Sequence, residues 1–231
     1  MELKKYLDSS VKGLLVILTF LLGQSLIALP IVAFNIEARL LVTIILILGH
    51  LVVSLLMIYI LRDVLKKHLV DLKKNHKSYF KKYFKYWFLI LGGMAIINLI
   101  IMALPFTEGV AANQEAVLEL LRRSPVYIYF AAVIFAPLTE ELAFRQAIRQ
   151  IIPNDKVFIL VSGLSFGLIH IIAADNFVSQ LPFLLSYSFP GFVFAYLLIK
   201  SENIFVPIGL HFIHNGVLVS LQLLLMIFGG L

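Results

Sequence analysis

The chain has 231 residues, of which 61% are hydrophobic and only 14% are charged, whereas a soluble domain has about 45–50% apolar and about 25% charged residues. This balance excludes a soluble globular protein and indicates a helical integral membrane protein, because open sheets cannot satisfy their backbone groups in lipid. The chain contains no cysteine, which excludes disulfides, thiolate nucleophiles and cysteine-ligated metal sites.

The sequence contains seven apolar stretches, each long enough to cross a bilayer at about 20 residues. It therefore predicts an all-α polytopic transmembrane bundle of seven or eight spans, forming a single domain over residues 1–231. One stretch contains Pro182 and Pro190, and it is compatible with either one kinked helix or two shorter ones. The predicted spans cover residues 13–34, 40–61, 86–105, 125–150, 156–174, 177–199 and 204–229.

The basic residues are distributed unevenly between the two ends of these spans. With the N-terminus inside, 16 of the 19 Lys and Arg residues fall on the cytoplasmic side, which is the bias that multi-pass cell-membrane proteins show. The densest segment, 62–85, is typical of an inner loop and compatible with anionic membrane lipids as partners. Nucleic acid is not an expected partner.

Two adjacent carboxylates, Glu140 and Glu141, lie within the fourth predicted span. Ionisable groups are costly in hydrocarbon, so such residues face the bundle interior and usually serve function. Glu141 and Arg145 are four residues apart and share a helical face, which leaves Glu140 without a local partner and available as a general acid or base. Pro137 frees a backbone carbonyl one turn earlier and is expected to kink the helix.

Later spans carry intramembrane histidines. His170 ends an F-x-x-x-H pattern that begins at Phe166, and His211 and Asn215 form an H-x-x-x-N pattern whose ends share one helical face. These residues are candidates for a site because buried polar groups must find partners across the bundle. The participation of His214 stays open, and His50 in the second span is interpreted as structural.

The helical rise places Glu140, His170 and His211 at a similar depth in the membrane. Counted from the cytoplasmic ends at 1.5 Å per residue, Glu140 lies about 18 Å, His170 about 20 Å and His211 about 12 Å into the membrane. The sequence therefore predicts one site shared by three helices, within about residues 125–220. We expect this site to open toward the inner leaflet.

The ordered motifs E-E-x-x-x-R, F-x-x-x-H and H-x-x-x-N resemble those of the CAAX prenyl protease and bacteriocin-processing family (Abi, CPBP), which includes the Ras-converting enzyme. The resemblance implies an intramembrane glutamic endopeptidase that hydrolyses a membrane-associated, prenylated or leader peptide without a cofactor. It implies that Glu140 and His170 activate water, and that His211 and Asn215 stabilise the oxyanion. The resemblance also implies supporting roles for Glu141, Arg145 and Phe166.

Several alternatives remain open at this stage. Glu140, His170 and His211 could instead hold a catalytic zinc ion, although the H-E-x-x-H motif is absent. Residues 163–167 match the G-x-S-x-G pattern of serine hydrolases, but that motif needs a strand–turn–helix elbow. A proton-coupled transporter and a non-catalytic bacteriocin-immunity protein are further possibilities.

Overall fold

The computed structural model describes residues 2–104, 111–174 and 176–229, and within these ranges the regular secondary structure is entirely helical. The helices are α1 (Glu2–Ala33), α2 (Arg39–Ile60), α3 (Arg62–Tyr83), α4 (Lys85–Met102), α5 (Ala112–Arg123), α6 (Pro125–Ile151), α7 (Asp155–Ile169), α8 (Phe177–Ser201) and α9 (Phe205–Ile227).

Six of these helices are long and apolar enough to cross a membrane: α1, α2, α4, α6, α8 and α9. Large apolar side chains such as Leu22, Val52 and Leu99 are exposed on their outer faces, as expected for surfaces that contact lipid. The all-α, polytopic membrane bundle is thus confirmed, and the chain is a multi-pass membrane protein. The orientation of its N-terminus stays a prediction.

The predicted count of seven or eight spans is not confirmed, because within the described ranges the fifth stretch forms only the short helix α7. This helix has 15 residues and rises about 22 Å at 1.5 Å per residue. It ends where the His170 N–H bonds the Gly167 carbonyl, 3.2 Å away, and the His170 side chain bonds the Phe166 carbonyl. Side-chain hydrogen bonds of this kind satisfy carbonyls left free at a helix end.

Helix α8 is one continuous helix that contains both Pro182 and Pro190. It packs closely against α7 at small residues. A Cβ atom placed on Gly191 would lie 2.9 Å from the Gly163 Cα atom and 3.0 Å from the Gly163 carbonyl. Glycine at both positions therefore allows the two backbones to touch.

Helix α6 alternates between α-helical and π-helical segments. Its π-helical segments are Ala131–Phe135 and Glu141–Ala147, separated by the short α-helical segment Ala136–Glu140. A π turn holds one extra residue and occurs frequently at functional sites. The register thus changes on both sides of the segment that contains Pro137 and ends at Glu140, and the kink expected at Pro137 stays a prediction.

The basic segment forms helix α3, which is attached to the turn between α8 and α9. The buried Asn203 side chain donates to the His68 carbonyl at 2.8 Å and to Asp71 Oδ2 at 2.7 Å. The Tyr79 hydroxyl also donates to Asp71. These contacts fix the start of α9, six residues before His211.

Candidate functional site

The centre of the bundle contains a buried ion pair supplied by one helix. Glu141 and Arg145, both completely buried, lie on successive turns of the second π segment of α6, with Arg145 Nε 3.2 Å from Glu141 Oε2. The pairing that the four-residue spacing predicts is therefore present. A buried charge needs such a partner, because its desolvation is not otherwise compensated.

Two aromatic rings enclose the Arg145 guanidinium. Its central carbon lies 4.2 Å from the centroid of Phe166 and 5.4 Å from that of Phe194. A cation over an aromatic face gains electrostatic energy, and more so when it is desolvated. The phenylalanine of the F-x-x-x-H pattern thus packs against the arginine of the first motif. Phe194 belongs to none of the motifs, and sequence reasoning missed it.

His211 connects the ion pair to Glu140. Its Nδ1 lies 2.9 Å from Glu141 Oε1, and its Nε2 lies 3.9 Å from Glu140 Oε2. The ring stacks on Phe194 with a centroid distance of 4.9 Å and an interplanar angle of 23°. Because a carboxylate accepts hydrogen bonds, the proton of this short contact belongs to Nδ1, and Nε2 faces the second glutamate.

His170 is held in one tautomer by the end of its own helix. Its Nδ1 is 2.7 Å from the Phe166 carbonyl oxygen, which only accepts, so Nδ1 donates and Nε2 keeps a free lone pair in the neutral ring. The ring stacks on Tyr187 at 4.6 Å with an interplanar angle of 16°. Tyr187 was also missed by sequence reasoning, because no motif contains it.

Asn215 donates a hydrogen bond to a carbonyl of α6 that lacks a backbone donor because of Pro137. Its side-chain nitrogen donates to the Ala132 carbonyl at 2.8 Å. In the π-helical register the donor to that carbonyl would be residue 137, five positions later, and proline has no N–H. Asn215 therefore satisfies the carbonyl that Pro137 leaves free, and it keeps a second N–H for another acceptor.

These side chains surround a cavity of about 390 Å³. Its walls include the four residues predicted to be catalytic, which are Glu140, His170, His211 and Asn215. His214 and His50 also line the cavity, whereas Glu141 and Arg145 do not. The His50 ring also makes edge-to-face contacts with the rings of Tyr127 and Phe135, at centroid distances of 5.9 and 5.5 Å. These packing contacts agree with the structural interpretation of His50.

The cavity extends from Glu140 toward α5, whose Asn113, Gln114, Val117 and Leu120 contribute to its wall. Helix α5 follows α4 at the end that the charge pattern places outside the cell. The expected opening toward the inner leaflet stays a prediction, as does the orientation of the bundle in the membrane.

The residues proposed for zinc do not form a metal-binding group. Across residues 2–104, 111–174 and 176–229, no cluster of three His, Asp or Glu side chains has a geometry suited to a metal ion. The serine of the G-x-S-x-G pattern, Ser165, donates to the Val161 carbonyl of its own helix at 2.6 Å. It lies inside α7 rather than at an elbow, so the serine-hydrolase alternative is wrong.

The comparisons with known proteins point to one family. Residues 122–217 match the profile of the type II CAAX prenyl endopeptidase Rce1-like family. The chain is 31% identical over 114 residues to the putative membrane peptidase YdiL of Bacillus subtilis, which covers 48% of this chain and 43% of that relative. It is 28% identical over 154 residues to the membrane-embedded CAAX protease MroQ of Staphylococcus aureus, covering 62% and 60% of the two chains.

The matched region thus spans about half the length of these curated relatives, at 43% and 60%. No solved structure matches the chain significantly. The family match begins at Arg122 and ends at Val217, and so includes all three motifs. The segment from residue 122 to residue 217 is therefore similar to the Rce1-like family of CAAX prenyl endopeptidases, the family that the three motifs resemble.

Proposed function

We propose that this chain is an intramembrane endopeptidase in which Glu140 is the catalytic acid–base group. The observation that supports the proposal is that Glu140 and His170 line one cavity inside the bundle, while a buried ion pair stands behind them. Such an arrangement provides a base, a second proton acceptor and a water-poor surrounding, which are what hydrolysis of an amide needs.

The first step is attack by water on the scissile carbonyl. Glu140 takes one proton from the water while the His170 Nε2 lone pair, left free by the Nδ1 contact with Phe166, accepts a hydrogen bond from it. The water oxygen bonds to the carbonyl carbon and a tetrahedral oxyanion forms. Glu140 then gives its proton to the leaving nitrogen as the C–N bond breaks, so that atoms and charges balance.

The oxyanion is stabilised by His211 and Asn215 in this proposal. With Nδ1 donating to Glu141, Nε2 of His211 faces Glu140 and the cavity, where a proton on Nε2 would be donated to the oxyanion. Asn215 contributes its second side-chain N–H, the first being used on the Ala132 carbonyl. Preorganised donors of this kind act most strongly where water is excluded. Arg145 and Phe166 hold Glu141 and hence His211 in place.

The substrate proposed is a membrane-associated, prenylated or leader peptide. Support comes from a relative that is named a membrane-embedded CAAX protease, and from the family profile, whose match over residues 122–217 includes the three motifs. No metal takes part in the proposed mechanism. A zinc-dependent hydrolysis and a non-catalytic immunity protein make different predictions for the experiment below.

The test is hydrolysis of a peptide library by the purified full chain in lipid nanodiscs, followed by mass spectrometry. Glu140→Gln should lower the rate by about 10²–10⁴-fold, the usual contribution of a general acid–base group. The matched control is Glu37→Gln, since Glu37 is exposed in the turn between α1 and α2. A chelator should leave the rate unchanged. Loss of activity with chelator would support zinc, and equal rates for Glu140→Gln and wild type would overturn the proposal.

A further inference from the structure

Helix α3 is the most basic element of the chain. It has eight Lys and Arg residues and two Asp residues, and the resulting formal charge of +6 equals the net charge of the whole protein. Asp71 accepts hydrogen bonds from Tyr79 and Asn203. Asp63 lies 3.7 Å from Lys12 of α1. The seven lysines of α3 are all exposed, and none of them forms an ion pair with a described carboxylate.

The two ends of α3 lie at the same membrane surface. The helix joins α2 to α4, both of which are long and apolar enough to cross a membrane. The turn between α8 and α9 also joins two such helices, and it contacts α3 at two separate points. Asn203 donates to the His68 carbonyl, and Tyr83 donates to the Lys200 carbonyl at 2.7 Å. Because these points are about 22 Å apart along the helix axis, α3 lies across the turn and along the membrane surface.

The exposed side of α3 has two flanks of different composition. The mixed flank combines three lysines with three apolar side chains, which are 41%, 50% and 58% exposed in the order given: Lys66, Lys73 and Lys77, with Leu69, Val70 and Phe80. The polar flank is rotated from the mixed-flank lysines by about 80° around the helix. It contains only polar side chains, namely Asp63, Lys67, Lys74, Ser78 and Lys81.

The mixed flank is the one that continues a lipid-exposed surface of the bundle. Phe80 stacks on Phe84 with a centroid distance of 4.7 Å, and Phe84 makes an edge contact with Phe88 at 5.6 Å. Phe88 belongs to the membrane-crossing helix α4 and is 58% exposed. Leu69 lies about three helical turns before Phe80 on the same side of α3. A row of exposed apolar side chains therefore runs from the span onto the surface helix.

We propose that α3 is a membrane-surface helix that binds anionic phospholipids through its mixed flank. Leu69 and Phe80 insert at the boundary of the acyl chains, as the apolar face of an interfacial helix does. The three lysines of this flank reach the headgroup phosphates through their flexible aliphatic stems. Each such lysine contributes about fivefold to the affinity for an anionic surface. The ligand is a lipid rather than a soluble anion, because the flank combines positive charge with apolar surface.

The first experiment measures lipid selectivity of the delipidated full chain by native mass spectrometry. The probes are phosphatidylglycerol and phosphatidylcholine with identical acyl chains. Wild type should bind phosphatidylglycerol at least tenfold more tightly, and neutralising the mixed flank should reduce this preference below threefold. The matched control removes the same charge from the polar flank and should keep at least a fivefold preference. The two triple variants are Lys66→Gln, Lys73→Gln, Lys77→Gln and Lys67→Gln, Lys74→Gln, Lys81→Gln.

The second experiment measures the depth of α3 in nanodiscs. The chain contains no cysteine, so one introduced cysteine can carry a bimane fluorophore at a single position. Leu69→Cys places the fluorophore on the mixed flank, and Ser78→Cys places it on the polar flank; both positions are exposed. Lipids with brominated acyl chains should quench the fluorophore at position 69 at least threefold more than the fluorophore at position 78. Circular dichroism and thermal melting identify any variant that has lost its fold, and Lys73→Gln alone then replaces the triple variant.

Equal lipid preference in the two triple variants would overturn the inference, as would a wild-type protein that does not prefer phosphatidylglycerol. Equal quenching at positions 69 and 78 would reject the placement of the mixed flank against lipid. Glycerophosphoglycerol, which is the same headgroup without acyl chains, should not displace the bound lipid at equal concentration; displacement would show a site for a soluble phosphate compound instead. These measurements do not depend on turnover, so they stand or fail independently of the proposed peptidase function.

Discussion

The hydrogen bond from Asn215 to the Ala132 carbonyl gives a quantitative prediction about the stability of α6. Asn215→Leu removes the donor and leaves a partly buried carbonyl without a partner, because Pro137 supplies no N–H. An unsatisfied buried acceptor costs about 1–3 kcal/mol, and hydrogen bonds between transmembrane helices average about 0.6 kcal/mol with a maximum near 1.7. We therefore expect a loss of about 1–2 kcal/mol in the free energy of unfolding.

Pro137→Ala provides the decisive second variant. Alanine at this position has an N–H that can donate to Ala132 in the π-helical register, so Asn215→Leu should cost about 1 kcal/mol less in that background. The assay is reversible unfolding in mixed detergent micelles for the four proteins of the cycle. A control cycle uses Asn98→Leu, since Asn98 accepts from Ser186 Oγ at 2.7 Å and should not couple to Pro137. Equal costs of Asn215→Leu in both backgrounds would refute the reasoning.

Three further variants test packing, the ion pair and the attachment of α3 by the same unfolding assay. Gly191→Ala should cost about 1–3 kcal/mol by overpacking against the backbone of α7, whereas Gly209→Ala, whose Cβ meets nothing within 4 Å, should be nearly neutral. Arg145→Leu removes the arginine partner of the buried Glu141 carboxylate, which then keeps only its contact with His211, and should cost about 3–5 kcal/mol; a loss below 1 kcal/mol would contradict the buried pair. Burial lowers the pKa of His68 in the folded protein. The stability that neutral His68 contributes should therefore be complete above about pH 6.5 and be lost as the pH falls toward the folded-state pKa. His68→Gln should remove this pH dependence.

The sequence predicted those parts of the site that depend on local spacing. Glu141 and Arg145 pair because residues four apart share a face, and the structure places their nitrogen and oxygen atoms 3.2 Å apart. The depth comparison, which uses only helical rise, brought Glu140, His170 and His211 to one level, and all three line one cavity. Both arguments need only the geometry of a single helix.

The remaining features depend on contacts between helices or on backbone register. The contact of His211 with Glu141 joins residues 70 positions apart, and nothing in either segment selects one glutamate over its neighbour. The π-helical segments follow from backbone hydrogen bonds that have no residue signature, although Pro137 marks where one register fails. The early end of α7 was missed because Ile171 and Ile172 continue the apolar run beyond His170.

The length of α7 has a consequence for the bilayer around the protein. A rise of about 22 Å is about 8 Å less than the hydrocarbon thickness of an average membrane, about 30 Å. The lipid next to this helix must therefore thin, or headgroups and their hydration water must descend toward His170. Acyl-chain length then becomes a control on how easily water reaches His170 and the cavity that it lines. Short-chain lipids should suit this protein better than the long-chain lipids of thick membranes.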